Sequence, residues 1–299
     1  MTTISTSQPT STASPERFIV RHPVITFLGL AYGISWLLFL PSLLAANGIG
    51  VLPFEIPVTP FLLLSVIFGL SLSTYIVTRA TRGRDGLREL RRSYTHWRVG
   101  AHWYALALLA LPMADLLAAS LWRGLAPLVA FANGWELLFT VFMPNALVGA
   151  VVINLWEEGA WTGFMLPRLQ ERWGALRSSA MVAVAMGLFH LPLVFIVGGV
   201  SDQPIRPGQY WMYFALLFVG TIPFRLLVTW LWNSTRGSVI VVALFHAAFN
   251  VTTGHNFLPE FVPGSTLWVY GVYAVLGLIV VVITKGRLAY RPAGSARAE

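Results

Sequence analysis

Two neighbouring glutamates, Glu157 and Glu158, and two histidines, His190 and His246, lie inside long apolar stretches of this 299-residue sequence. An ionisable side chain in such a setting costs several kcal/mol unless it is paired or faces a cavity, so each is a candidate functional residue. Asp115 and Arg225 share that setting, with Asn145, Asn154 and Asn250 as neutral companions. Adjacent residues diverge by ~100° around a helix, so Glu157 and Glu158 do not both point squarely at one partner. In a low dielectric the two carboxylates repel, and one must hold a proton or be neutralised by a nearby cation. A carboxylate beside a histidine is the pairing that water activation requires. His246 and Asn250, at i and i+4 in HAAFN, project from one helix face about a turn apart.

The elements that carry these residues are membrane helices. The chain is 56% hydrophobic and 11% charged, where a soluble domain of this length carries about a quarter charged residues. It has no cysteine, which removes disulfides, thiolate metal sites and a cysteine nucleophile. The first residues, MTTISTSQPTSTASP, are Ser/Thr/Pro-rich, and positions 1–20 read as a disordered tail. A helix needs about 20 apolar residues to cross a hydrocarbon core of ~30 Å. Eight stretches qualify: about 24–46, 59–78, 101–121, 138–166, 178–198, 210–231, 237–253 and 265–284. The expected fold is therefore an all-α, polytopic transmembrane bundle over 21–286, followed by a basic tail at 287–299. The first stretch is read as a span, because it is long for a cleaved signal and further spans follow.

Charge orients the bundle. Seventeen of the 20 basic residues fall in the two terminal segments and in the second, fourth and sixth connections; only Arg123, Arg206 and Arg225 lie elsewhere. The positive-inside rule then puts both termini in the cytoplasm and makes the number of spans even. In this setting the net charge of +8 is a matter of topology and implies no nucleic-acid partner. Segment 79–98, rich in arginine, could also touch anionic headgroups. Counting at 1.5 Å per residue from the nearest cytoplasmic arginine, Glu157 lies ~16 Å deep, His190 ~20 Å, His246 ~15 Å and Asn250 ~21 Å. Polar residues of three spans thus share one layer, as a cavity would require. Asp115, at ~26 Å, falls near the far surface and is set aside.

At these residues the sequence resembles the CPBP membrane proteins, which include the Ras-converting CAAX endopeptidase and the Abi proteins of bacteriocin processing and immunity. The resemblance rests on EEGAWTGFMLPRLQ (157–170), on MGLFH followed by LP (186–190), and on HAAFN (246–250) after TRGSVIVVALF. It covers about 138–253. Two positions depart from the family pattern. Met186 stands for phenylalanine, a change between apolar fillers, and Thr162 stands where the family has arginine, removing a cation one turn from Glu158. Arg225, which counting puts at ~16 Å, is the candidate replacement and is expected to pair with the two glutamates.

The resemblance implies an intramembrane endopeptidase. Glu157, assisted by His190, takes a proton from the attacking water; His246 and Asn250 donate to the oxyanion; Glu158 keeps the charge balance. The substrate is then a membrane-embedded or lipidated peptide or protein entering from the cytoplasmic side, and the protein sits multi-pass in a bacterial-type plasma membrane. A metal-free glutamate site is the favoured reading, with zinc on Glu157, His190 and His246 as the alternative; there is no HExxH and asparagine is a poor zinc ligand. Two rivals remain open. One is an immunity or scaffold protein that lost turnover through Thr162, the other a small-solute transporter.

Overall fold

The computed structural model describes residues 15–201, 203–253, 257, 261–262 and 266–292. Among these the regular elements are all helices, with one isolated β-bridge between Val197 and Ser201. In chain order the helices are α1 (Pro15–Arg21), α2 (Pro23–Leu44), α3 (Thr59–Tyr94), α4 (Ala101–Arg123), α5 (Ala126–Asn133), α6 (Leu138–Phe195), α7 (Pro207–Ser234), α8 (Val239–Thr253) and α9 (Thr266–Ile283). All eight apolar stretches are helical. Helices α2, α3, α4, α6 and α7 are long and apolar enough to cross a membrane, and α8 and α9 are shorter apolar helices. The protein is an integral, multi-pass membrane protein.

Its surface is inside-out by the standards of a soluble fold. Leu121, Trp122 and Ile283 are 91%, 79% and 74% exposed, as a lipid-facing surface demands. Small and hydroxylated residues are buried instead, because in lipid the close approach of backbones replaces the hydrophobic drive between helices. Helices α2 and α3 meet in this way: Ser35 Oγ donates to Ser65 O at 3.3 Å, and Gly69 packs directly on Ser35. A second knot is aromatic. Trp161 and Phe164 of α6 meet Phe27 of α2, and Trp161 also meets Phe189 further along α6.

Helix α6 is 58 residues long and holds two of the expected spans. It breaks at Gly174, whose φ of 71° and ψ of 177° are not helical and favour glycine. The break divides α6 into a first arm, 138–173, and a second arm, 175–195. Residues 1–14 and 293–299 of the two expected tails lie outside the described residues. Helix α1 starts at Pro15, inside the stretch read as a tail. The expected basic tail begins folded back on α7, with Leu288 fully buried and its carbonyl accepting from Asn233 Nδ2 at 2.9 Å.

Candidate active site

The break at Gly174 is what makes a site possible. In a straight helix Glu157 and His190 would stand ~50 Å apart, at 1.5 Å per residue. Here His190 Nε2 lies 3.8 Å from Glu157 Oε1. Two contacts from α2 hold the His190 end of the second arm: Tyr32 Oη donates to Ala185 O at 2.7 Å, and Trp36 Nε1 to Phe189 O at 3.2 Å. On the first arm, the glutamates sit in a short α-helical piece between two wide π-helical segments, Ala150–Asn154 and Gly159–Met165. Such widened turns shift side-chain register and recur at functional sites. Gly159 is needed for another reason, since any Cβ there would run into the Tyr94 hydroxyl.

Glu158 is fully buried and fully engaged. Arg225 Nη1 donates to its two oxygens at 2.8 and 3.0 Å, and His246 Nδ1 lies 2.8 Å from Oε1. The Thr162 hydroxyl donates to Oε2 and accepts from Arg225 Nη2 at 2.6 Å. Arg225 is itself fully buried, so the pair is one of opposite charges removed from both water and lipid. Such a pair is favoured when the remaining lone pairs and protons are also met; here Thr162 and His246 meet most of them, and Arg225 Nε is left without a partner. Since a carboxylate held by arginine only accepts, His246 donates from Nδ1 and keeps Nε2 free. With both glutamates ionised, Arg225 and a protonated His246 bring the cluster to neutrality.

Glu157 contrasts with its neighbour. It is buried, yet its Oε1 has no hydrogen-bond partner. His190 Nδ1 lies 2.8 Å from Met186 O, which can only accept, so Nδ1 carries the proton and Nε2 of the neutral ring is an acceptor. Two acceptors therefore face each other across 3.8 Å, too far for a direct hydrogen bond and suited to sharing a donor.

Residues 139–252 match the sequence model of a family described as type II CAAX prenyl endopeptidase Rce1-like. The core of this chain is similar to that family over those residues. A relative, CAAX prenyl protease 2 of Methanococcus maripaludis, is 26% identical over 121 residues, or 40% of this chain and 43% of that protein. The chain thus spans less than half the length of the curated relative it matches.

The bundle brings together Glu157, Glu158, His190, Arg225 and His246, from both arms of α6 and from α7 and α8. It does not add Asn250 to their contacts: that side chain is exposed and makes no hydrogen bond among the described residues. Asp115, set aside on depth, is fully buried in the bundle and accepts from Tyr273 Oη at 3.1 Å. Among the described residues no group of three or more His, Asp or Glu side chains that could hold a metal ion is found. Sequence reasoning missed Thr162 as a participant, having read it only as a lost arginine. It also missed Tyr32 and Trp36, which in sequence are two aromatics of an ordinary span and carry no signal of their partner.

Proposed function

We propose that this protein is an intramembrane endopeptidase that hydrolyses a peptide bond with water, without a covalent intermediate and without a metal. The observation that carries the reading is the facing of two acceptors, Glu157 Oε1 and His190 Nε2, at 3.8 Å in a buried setting. A water held there gives one hydrogen to each, and its lone pair is left to attack. As it adds to the scissile carbonyl, its proton passes to Glu157. The oxyanion takes hydrogen bonds from His246 Nε2 and, on substrate binding, from Asn250. Collapse of the tetrahedral species returns the proton from Glu157 to the leaving amine, so one water is consumed per bond cut. Glu158 stays ionised throughout. Its part, with Arg225 and Thr162, is to hold the protonated His246 ring through Nδ1, so that Nε2–H is free to donate, and to keep the cluster neutral.

The substrate class follows from the relative's name and the apolar surroundings: a C-terminal or membrane-embedded segment, prenylated or otherwise apolar. The immunity or scaffold reading drew on the missing arginine at 162. Arg225 supplies a cation to the same carboxylate, which supports the enzyme reading. The test is cleavage of a panel of farnesylated and unprenylated peptides by the purified chain, beside Glu157→Gln and His190→Ala. Wild-type cleavage lost in both variants is expected. No cleavage of any peptide by the wild type would return the scaffold reading, and activity abolished by chelator and restored by zinc would overturn the metal-free one.

A further inference from the structure

A second polar feature lies apart from the glutamates. A cavity of about 670 Å³ opens where α3, the middle of α6, the α7–α8 turn and the segment after α9 meet. Arg82, Arg168, Arg236 and Arg291 line it, with Glu89 and Glu171. Both glutamates turn to Arg82, at 2.9 and 3.7 Å. Arg168, Arg236 and Arg291 have no carboxylate within ion-pair distance among the described residues. Arg168 is held in place by stacking 3.8 Å from the Phe164 ring centroid and by Nη1 donating to Phe164 O at 2.7 Å. The wall also contains two buried hydrogen-bonding groups without partners, the Gln170 amide nitrogen and the Thr78 hydroxyl; these residues are 3% and 2% exposed.

We propose that this cavity binds the phosphate group of an anionic ligand, either a phospholipid headgroup or a soluble phosphate. Three guanidiniums without a carboxylate partner, from three elements, surround the space, which suits a tetrahedral anion with oxygens pointing several ways better than a planar carboxylate. The volume exceeds that of phosphate and leaves room for a glycerol-sized headgroup. The proposal is independent of proteolysis at Glu157.

Tryptophan-fluorescence melting of the delipidated, detergent-solubilised chain tests it, titrating short-chain phosphatidylglycerol, phosphatidylcholine, inorganic phosphate and acetate. Saturable stabilisation by phosphatidylglycerol well beyond phosphatidylcholine supports a lipid source; saturable stabilisation by inorganic phosphate alone supports a soluble one. In either case the double variant Arg168→Gln/Arg236→Gln should weaken the apparent affinity by about tenfold or more. Arg88→Gln, on the same arginine-rich segment but not lining the cavity, should leave it unchanged. Should the double variant not fold, Arg291→Gln, at the third and exposed arginine of the lining, should weaken binding in the same sense. Equal losses in Arg88→Gln and the double variant, an equal response to acetate, or no saturable response to either phosphate compound overturns the proposal.

Discussion

Replacing Arg225 by methionine keeps most of the side chain's apolar length and deletes the guanidinium. Glu158 then loses donors at 2.8 and 3.0 Å, Thr162 loses one at 2.6 Å, and a carboxylate with no exposure is left without its cation. Breaking one side of a buried pair costs about 3–5 kcal/mol. For a chain of this size that corresponds to a melting decrease of roughly 6–20 °C. The chain has 12 tryptophans and no cysteine, so intrinsic fluorescence in detergent is the suitable reporter. Two further variants separate the charge effect from general damage. Glu158→Gln/Arg225→Met removes both charges and should recover at least half the loss, because an absent pair costs less than a broken one. Thr162→Arg/Arg225→Met moves the cation to the position that the family pattern gives it, one turn from Glu158, and should also recover part of it. A melting temperature for Arg225→Met within about 2 °C of wild type would refute the reasoning, since that is under ~1 kcal/mol. So would strict additivity of Glu158→Gln and Arg225→Met.

Other outcomes follow from the same geometry. Glu157→Gln should cut peptide hydrolysis by at least about 10²-fold while leaving the melting temperature near wild type, since Glu157 Oε1 makes no hydrogen bond to lose; a large stability loss with activity retained would reverse its assignment. Gly174→Ala forces a φ of 71° on an L-residue and should destabilise by about 1–2 kcal/mol, with activity falling alongside as His190 shifts; normal melting and turnover would show the break is not required. Gly159→Ala should be strongly destabilising through collision with the Tyr94 hydroxyl and its ring carbon Cζ, and the double variant with Tyr94→Ala should lose less than the two single losses together; strict additivity would refute the contact.

Much of this architecture was legible because the membrane imposes a simple code. Eight apolar runs became eight helical segments, and depth counted from arginines put Glu157, His190 and His246 in one layer before any packing was known. The helical period also separated the two glutamates correctly: Glu158 faces α7 and α8, and Glu157 faces His190. What the code lacks is lateral information. It gives height in the bilayer but not which helix lies beside which, so nothing in it pairs Asp115 with Tyr273 across the bundle. The break at Gly174 was invisible for a related reason, since a glycine after RW reads as a loop without revealing that one continuous helix folds there. Thr162 was unreadable because its role depends on Arg225, 63 residues on.

The separation between Glu158 and its cation has a consequence for the order in which the chain is made. Arg225 emerges 67 residues after Glu158. At a synthesis rate of about 5–20 residues per second, the glutamates wait roughly 3–13 s for it. During that interval the first arm of α6 carries two acids with no cation in reach, so it is a poor membrane segment alone and settles only when α7 arrives. A protein with arginine at 162 carries its own counter-charge within the same turn and has no such interval. Exchanging one residue for another far along the chain has moved a step of assembly from the helix to the bundle, and it makes the C-terminal half a condition for the N-terminal half to stay inserted.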